Sequence, residues 1–402
     1  MKTFLQNIGL MLVACFIALA GIEAGMRIWG PDALVVGNQY VFFRFDPVLG
    51  WANLPNMQGQ FSRLEFTYPV EINSNGMWDS ELTDKRNDEF RVAFLGDSFT
   101  WGVGAAYGER FTEVIERLNP RINVLNFGVT GYSPVQYLLQ LDQVLALRPD
   151  YVIVALCLGN DLTDNVESDP YGHPKPFAKL SEDDSAFEIS GYPLTDTNQV
   201  GPRLFGAEST SRLVGFINQQ INHMRREQAR EEAAGTASEH PVIHYIKRRL
   251  ARLSQSRAPV EVGPEEIRAD QLLYVPGEKL TPEQRQKVAY MHRVNELLIE
   301  AMRKKVETAI GPDRFAVLLV PTKYEYGMEN LVPRNGDPAI VVERIRASLS
   351  RLGIPSIDAR PALTPAEFWK VDAHWRPAGH KKIGELLSRY LGTAIAQAPA
   401  AQ

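Results

Sequence analysis

Short apolar runs alternate with amphipathic stretches over much of the chain. The runs are four to six residues long, contain no charged side chain and are rich in Val, Ile, Leu and Phe. Such runs are typical of strands that are buried on both faces of a parallel sheet. The five predicted strands cover residues 92–95, 122–127, 151–156, 315–320 and 354–357.

The stretches between these runs place apolar side chains at helical spacing. In residues 109–118, for example, Phe111, Val114 and Ile115 share one face, and Pro120 ends the predicted helix. The same reasoning predicts helices over residues 134–147, 282–306, 339–352 and 377–391. Strands that alternate with helices predict an α/β fold with a doubly wound, five-stranded parallel sheet.

Three segments fall outside this alternation. Residues 30–90 carry many aromatic side chains and short β patterns, which predict a small β-rich cap, with a carbohydrate-binding platform as the alternative. Residues 164–282 are rich in Pro, Gly and charge, and we predict an inserted subdomain or lid, because structureless loops of this length are uncommon in compact folds. Residues 393–402 are predicted to be a disordered tail. The α/β domain is then predicted over residues 91–163 and 283–392.

The amino-terminal segment has the character of a membrane-inserting sequence. Residues 8–22 are apolar and follow Lys2, so residues 1–29 are predicted to form an uncleaved signal anchor, a single transmembrane helix. Two alternatives are cleavage of a signal peptide after the small residues at 18–20 and lipidation of Cys15. In a bacterial host, all three export the rest of the chain. The predicted location is therefore the inner membrane with the folded part in the periplasm, or secretion after cleavage.

Charge and cysteine content narrow the classes of function. The net charge is −5 and both signs are interspersed, so the chain lacks the basic footprint of a nucleic-acid-binding protein. One of the two cysteines, Cys15, lies in the amino-terminal apolar segment and the other, Cys157, at a predicted core strand, which makes a disulfide between them implausible. No Cys/His cluster has zinc-ligand spacing. We predict neither a metal ion nor a cofactor.

Four polar clusters follow predicted strands. They are Gly-Asp-Ser at 96–98, a glycine-rich stretch at 126–133, Gly-Asn-Asp at 159–161 and Val-Asp-Ala-His-Trp at 371–375. Each cluster taken alone is also typical of an ordinary turn. Because the carboxyl ends of parallel strands meet at one edge of a sheet, the clusters together predict a common site. Acyl transfer by a serine needs a hydroxyl, a base oriented by an acid, and donors for the developing oxyanion, and these clusters contain such groups.

The order and spacing of the four clusters resemble those of the SGNH (GDSL-type) hydrolase superfamily. The resemblance covers residues 91–163 and 315–391, and it implies a flavodoxin-like sheet and a mechanism without metal or cofactor. Two positions depart from the family pattern. Leu158 stands where the family has a glycine, and the last cluster reads D-x-H-W rather than D-x-x-H. The shorter form is similar to that of membrane-anchored SGNH proteins that O-acetylate exopolysaccharides such as alginate.

The resemblance implies a role for each candidate residue. Ser98 corresponds to the nucleophile, His374 to its base and Asp372 to the acid that orients the base. The backbone N–H groups of Ser98 and Gly131, with the side-chain amide of Asn160, correspond to the oxyanion donors.

The functional hypothesis that follows is an exported, membrane-tethered serine esterase. It would remove O-acyl groups, acetyl foremost, from a cell-envelope glycan or lipid through an acyl-serine intermediate. One alternative is an O-acetyltransferase that passes the same acyl group to an envelope glycan, as a partner of envelope-polysaccharide machinery. Another is a glycan-binding scaffold without catalytic activity. A fluorophosphonate probe that labels an activated serine separates the last alternative from the first two.

Overall fold

The computed structural model describes residues 14, 17–22, 24–25, 42–63, 65–171, 173–195, 268–328, 332–333 and 336–397. The chain divides into two compact units. One comprises Met1–Val41, Gln60–Thr67 and Gly201–Val262, of which only residues 60–63, 65–67 and parts of 14–25 are described. The other comprises Phe42–Gly59, Tyr68–Val200 and Gly263–Gln402, and it contains the central sheet and the candidate site.

The described strands and helices follow in chain order. The strands are β1 (Phe43–Asp46), β2 (Gly50–Asn53), β3 (Gln58–Ser62), β4 (Thr67–Glu71), β5 (Phe90–Gly96), β6 (Ile122–Gly128), β7 (Tyr151–Cys157), β8 (Phe177–Leu180), β9 (Phe187–Ser190), β10 (Phe315–Val320) and β11 (Ser356–Asp358). The α-helices are α1 (Ser98–Trp101), α2 (Phe111–Leu118), α3 (Pro134–Ala146), α4 (Asp161–Asp164), α5 (Ala269–Leu272), α6 (Pro282–Ile310), α7 (Ile340–Arg351) and α8 (Pro377–Gln397). Short 3₁₀ turns occupy Gly277–Lys279, Lys323–Tyr326, Arg360–Ala362 and Pro365–Glu367.

A five-stranded parallel sheet lies at the centre, as predicted. Its strand order is β11-β10-β7-β5-β6. Gly96 at the end of β5 pairs with Gly128 at the end of β6, and Cys157 at the end of β7 pairs with Val320 at the end of β10. The carboxyl ends of these four strands therefore meet at one edge. The strand β5, which precedes Ser98, has a neighbour on each side.

Helices cover both faces of this sheet, which makes the fold doubly wound. On one face, β-strand side chains such as Phe94 and Ile153 pack with Phe111 of α2 and Leu387 of α8. On the other face, Val135 of α3 packs with residues of α6 in a second cluster. Because helices cover both faces of the sheet, β5 and β7 are buried at every position. This burial explains why their sequences are largely apolar.

Element boundaries differ from the sequence-based prediction at several points, the last strand and the last helix among them. The last strand begins at Ser356 rather than at residue 354, because Pro355 has no N–H to donate to the ladder. The last helix runs to Gln397 rather than ending near residue 391, because residues 393–397 contain neither Gly nor Pro. The first residues of the predicted tail are therefore helical.

The predicted cap and insert are described in part. Strands β1 and β2 form an antiparallel pair within the predicted cap, of which residues 30–41 lie outside the described ranges. Strands β8 and β9 form another antiparallel pair within the predicted insert. Residues 196–267 of that insert lie outside the described ranges as well, whereas residues 268–282 are described.

Most of the predicted signal anchor over residues 1–29 also lies outside the described ranges, which include only residues 14, 17–22, 24 and 25 of it. Among the helices that the structure describes, none combines the length and the apolar character needed to span a bilayer.

Candidate active site

Ser98 is the first residue of the short helix that follows β5. Asp97 caps this helix, because its carboxylate accepts a hydrogen bond from the backbone N–H of Phe99 over 2.9 Å. The helix begins directly at the strand end because residue 96 is a glycine: a Cβ there would lie 2.0 Å from Oγ1 of Thr100. Burial raises the pKa of Asp97 to about 6. Asp97 therefore stabilises the turn that leads to Ser98.

His374 lies against Ser98. Its Nε2 is 2.7 Å from the Ser98 Oγ, and its Nδ1 is 2.6 Å from Oδ1 of Asp372. The same Asp372 oxygen also accepts from the backbone N–H of His374 over 3.0 Å. A carboxylate accepts hydrogen bonds and cannot donate them, so Nδ1 carries the ring proton and Nε2 is the acceptor that faces the serine hydroxyl. The structure thus joins Ser98, His374 and Asp372 in one chain of hydrogen bonds.

The loop that carries His374 and Asp372 contains no strand or helix and is held by side chains. Phe368 and Trp375 form an isolated antiparallel bridge at its base. The indole N–H of Trp369 donates to the carbonyl oxygen of Gly104 over 3.0 Å. The buried Lys323 donates to the carbonyl oxygen of Lys370 over 2.8 Å. Residues distant in sequence therefore fix the loop.

The imidazole of His374 also packs against an aromatic ring. The ring centroid of Phe99, the residue after the serine, lies 4.8 Å from that of His374. Phe99 in turn packs edge-on against the buried Trp375, with the centroids 4.9 Å apart. The two aromatic residues limit rotation of the imidazole away from Ser98.

Gly131 lies in the turn after β6 and has a φ of +76°, a conformation that favours glycine. Its Cα faces two aromatic rings, because a Cβ there would lie 3.0 Å from the Tyr171 ring and 3.2 Å from the Trp51 ring. Trp51 supports the turn by donating from Nε1 to the carbonyl oxygen of Thr130 over 2.9 Å. The backbone at Gly131 is therefore fixed by the cap strand β2 on one side and by Tyr171 on the other.

Asn160 precedes α4, after β7. Its Nδ2 donates to Oδ2 of the buried Asp164 over 2.8 Å and lies 3.3 Å from the hydroxyl of Tyr171. The neighbouring Asp161 turns inwards and accepts from the backbone N–H of Cys157 over 2.9 Å. Burial, followed by the nearby charge of Asp97, raises the pKa of Asp161 well above its ordinary value. Asp161 therefore stabilises the turn from within, and Asn160 is left at the surface of the turn.

Three of the five predicted site residues, Ser98, Gly131 and Asn160, follow adjacent strands, whereas Asp372 and His374 lie in the loop before α8. Ser98 follows β5, which lies between the strands that lead to Gly131 and Asn160. Tyr171 touches both of the latter, with its ring against Gly131 and its hydroxyl near the Asn160 amide. Within the part of the chain that the structure describes, the N–H groups of Ser98 and Gly131 have no hydrogen-bond acceptor. These two N–H groups are therefore available as donors.

The sequence analysis missed three residues that build this site. Asp164 stands four residues after Asn160 at the spacing of helical neighbours, a signal that could have identified it. Trp51 and Tyr171 gave no such signal, because Trp51 is one of many aromatic residues in the predicted cap and Tyr171 lies in the predicted insert, whose composition points to no site. Among the described residues, no group of three or more His, Cys, Asp or Glu side chains could hold a metal ion.

Comparison with known proteins gives one family match. The model of the GDSL-like Lipase/Acylhydrolase family matches residues 94–382, more than half of the chain. No curated protein matches the chain.

Several solved structures are similar at low sequence identity. A GDSL-like lipase from Bacteroides thetaiotaomicron is 12% identical, with 78% of this chain and 93% of that chain covered and a TM-score of 0.36. The esterase EstA from Pseudoalteromonas sp. is 9% identical, with coverage of 77% and 100% and a TM-score of 0.36. An aryl esterase from M. smegmatis is 13% identical, with coverage of 75% and 98% and a TM-score of 0.34.

The family match spans the segment that contains all five predicted site residues. The chain belongs to the GDSL-like lipase/acylhydrolase (SGNH) family and is a carboxylic ester hydrolase.

Proposed function

We propose that the protein is a membrane-tethered serine esterase that removes O-acyl groups, acetyl foremost, from a glycan or lipid of the cell envelope. The catalytic part of this proposal rests on the chain of hydrogen bonds from Ser98 through His374 to Asp372, with heavy-atom distances of 2.7 and 2.6 Å. Both distances lie within the range over which a proton moves between a nucleophile and its base.

The first half of the reaction forms an acyl-enzyme. As the Ser98 oxygen bonds to the ester carbonyl carbon, its proton passes to Nε2 of His374, and the carbonyl oxygen takes up the displaced electron pair. Asp372 stabilises the imidazolium that results. When the tetrahedral intermediate collapses, the bond to the leaving alkoxide breaks and His374 returns the proton to that oxygen. The sugar or lipid hydroxyl then departs and the acyl group remains on Ser98.

Three donors would stabilise the oxyanion of that intermediate. They are the backbone N–H groups of Ser98 and Gly131 and the side-chain amide of Asn160. Donors that are already oriented before the reaction are worth most in such a site, since they need not reorganise as charge develops. The positive φ of Gly131 and the bond from Asn160 to Asp164 both support a fixed orientation of these donors.

The second half of the reaction repeats the first with water as the nucleophile. Water gives its proton to His374 as its oxygen bonds to the acyl carbon. The bond to the Ser98 oxygen then breaks, and that oxygen recovers its proton from His374. The products are a free carboxylic acid and the regenerated enzyme.

The substrate class and location rest on the amino-terminal segment. Residues 8–22 have the apolar character of a membrane anchor, and in a bacterium such an anchor would hold the catalytic unit on the periplasmic side. O-acylated glycans and lipids of the envelope would lie within reach of a tethered enzyme there. Separation of inner-membrane and soluble periplasmic fractions, with detection of the chain in each, tests the tether independently of activity.

The catalytic proposal is tested with the purified full-length chain. Wild-type protein should release p-nitrophenol from p-nitrophenyl acetate and react covalently with a fluorophosphonate probe. Ser98→Ala should lose both properties while keeping the circular dichroism spectrum and the Tm of the wild type. Equal hydrolysis rates for the two proteins would overturn the assignment of Ser98, and the absence of probe labelling would favour a glycan-binding scaffold.

Transfer to a sugar hydroxyl is the second candidate, and the D-x-H-W sequence at 372–375 favours it through its similarity to exopolysaccharide O-acetylating proteins. The chemistry differs only in the acceptor of the second half-reaction. Mass spectrometry of an oligosaccharide incubated with the enzyme and an acetyl ester separates the two. Acetylated oligosaccharide supports transfer, whereas free acetate alone supports hydrolysis.

A further inference from the structure

We propose that Asp164 is a positioning residue, which together with Tyr171 holds the side-chain amide of Asn160 in the orientation of an oxyanion donor. This inference rests on the proposed function, since it assigns a role to a neighbour of one of the three donors named there. Asn160 lies in the loop after β7, Asp164 is the last residue of α4, and Tyr171 lies in the segment that follows α4.

The contacts form a closed triangle of polar groups. Asn160 donates from Nδ2 to Oδ2 of Asp164 over 2.8 Å, and the Tyr171 hydroxyl donates to the same Asp164 oxygen. The Tyr171 oxygen also lies 3.3 Å from Nδ2 of Asn160. Each of the three side chains is thereby fixed by the other two.

The triangle uses one of the two N–H bonds of the Asn160 amide and leaves the other. Because the Tyr171 hydroxyl is hydrogen-bonded to the Asp164 Oδ2, the directions from Nδ2 to these two oxygens differ by far less than the angle between the two N–H bonds of the amide. The two N–H bonds of an amide point well apart, so a single N–H faces both acceptors. The second N–H points elsewhere and is available to an oxyanion.

The carboxylate of Asp164 also decides which end of the amide faces it. An ionised carboxylate accepts hydrogen bonds only, so the NH₂ group of Asn160 must point towards it and the carbonyl oxygen must point away. If an apolar side chain replaced Asp164, the amide could rotate and offer its oxygen where a donor is needed. A neutral amide at position 164 would keep the shape of the side chain. It would weaken the preference for the NH₂ group of Asn160 over its carbonyl oxygen.

The surroundings of Asp164 make this arrangement rigid. Its side chain is buried, with 4% of the residue exposed, and burial raises its pKa. The positive charge of the fully buried Lys175 opposes that rise. The Lys175 ammonium donates to the backbone carbonyl of Asp164 and to the Ser133 hydroxyl, each over 2.7 Å. A buried charge with a nearby counter-charge and two hydrogen-bond donors is costly to rearrange.

Tyr171 links this triangle to a second oxyanion donor. Its ring packs against the Cα of Gly131, whereas its hydroxyl belongs to the triangle. The residue therefore holds the backbone donor of one loop and the side-chain donor of the next in a fixed relation. Tyr171→Phe would retain the first contact and lose the second.

A double-mutant cycle in the full-length protein tests the proposal. Asn160→Ala should lower kcat for p-nitrophenyl acetate by roughly 10²- to 10³-fold, as expected for the loss of one oxyanion donor. Asp164→Ala should lower kcat by about 10-fold or more with little change in KM, because an interaction made only in the transition state is weakened. The double variant should be no slower than Asn160→Ala alone, since Asp164 acts only through Asn160.

Other variants separate positioning from a general loss of structure. The kcat of Asp164→Asn, which keeps the shape of the side chain, should fall between those of the wild type and Asp164→Ala. If Asp164→Ala does not fold, Asp164→Asn replaces it in the double-mutant cycle. Asp150→Asn is the control, because the Asp150 carboxylate accepts from the backbone N–H of Arg91 and pairs with Lys85 near the start of β5, at the opposite end of that strand from Ser98. It should leave kcat unchanged.

The outcomes of the cycle distinguish the two proposals. If the losses of Asn160→Ala and Asp164→Ala multiply in the double variant, Asp164 acts independently of Asn160 and the positioning role is wrong, whereas the proposed function stands. If Asn160→Ala has the kcat of the wild type, Asn160 is not an oxyanion donor and the positioning role fails with it. Wild-type kcat in both Asp164 variants would also overturn the role.

Discussion

The indole N–H of Trp369 donates to the carbonyl oxygen of Gly104 over 3.0 Å, which joins the loop of Asp372 and His374 to the segment that follows Ser98. The two partners are 265 residues apart in sequence, so this bond is one of the long-range contacts on which alignment of the base with the nucleophile depends. The buried Lys323 provides another, because it donates to the carbonyl oxygen of Lys370 in the same loop.

Trp369→Phe removes the indole donor and keeps an aromatic ring at this position. We expect the free energy of unfolding to fall by about 1 kcal/mol, the net contribution of a hydrogen bond. The kcat should fall by about 10-fold, because small displacements of a catalytic group are costly to the rate. Urea unfolding and p-nitrophenyl acetate hydrolysis measure the two effects. Unchanged kcat with reduced stability would mean that the loop keeps its position without this bond.

Asp372→Asn tests the carboxylate that faces His374. An amide in its place can donate to Nδ1 and so favour the tautomer in which Nε2 carries the proton and cannot accept one from Ser98. We expect kcat to fall by about 10²-fold or more, the range of general base catalysis. Circular dichroism and the Tm should match the wild type. Wild-type kcat would show that His374 needs no carboxylate partner.

Gly131→Ala and Gly108→Ala form a matched pair of substitutions. Both glycines have positive φ, +76° and +89°, so alanine should destabilise the protein by about 1–2 kcal/mol at either position. A Cβ at residue 131 would also meet the Tyr171 ring at 3.0 Å, whereas one at residue 108 would have no atom within 4 Å. We therefore expect loss of kcat in the first variant only. Equal kcat values in the two variants would contradict the assignment of Gly131.

Glu116 predicts a pH dependence of stability. Burial raises its pKa from 4.5 to about 7, and its Oε1 accepts from the backbone N–H of Val124 over 2.8 Å. Because the folded state holds this proton more tightly than the unfolded state, the contribution of Glu116 to stability is present at low pH. That contribution decreases as the pH rises from about 4.5 to about 7.

Glu116→Gln should remove this part of the pH dependence, because the amide oxygen still accepts from Val124 and carries no charge. Between pH 5 and pH 8, the variant should lose less free energy of unfolding than the wild type, by on the order of 2 kcal/mol. Urea unfolding at the two pH values measures this difference. Glu283→Gln, on the exposed first turn of α6, is the control. Identical pH dependence in wild type and Glu116→Gln would show that Glu116 does not titrate in this range.

The central sheet was predictable because the composition of its strands indicates burial without reference to distant residues. A strand such as β7, buried at all seven positions, must be apolar throughout, and an apolar run of this length is shorter than a typical buried helix. The position of Ser98 was predictable for the same reason. It follows a buried strand and a glycine, at the edge where parallel strands of a doubly wound sheet expose their ends.

The supports of the site were not predictable, because they depend on distant segments. Nothing near Trp51 in the sequence indicates that it packs against the turn at Gly131, since its partner Thr130 is 79 residues away. Tyr171 belongs to a stretch whose composition indicates only an insertion. The pairing of Asp372 with His374 was predicted from the family resemblance alone, because the loop has no regular structure and no periodic pattern fixes the direction of its side chains.

The nucleophile and its base lie in parts of the fold that are stabilised by different kinds of contact. Ser98 follows a strand with hydrogen-bonded neighbours on both sides, whereas the residues between the 3₁₀ turn at Pro365–Glu367 and α8 belong to no strand or helix. Local opening of that loop would separate His374 from Ser98 while the sheet stayed intact. Mild denaturant or heat should therefore abolish turnover before the global transition, and the inactivated protein should recover promptly on return to native conditions.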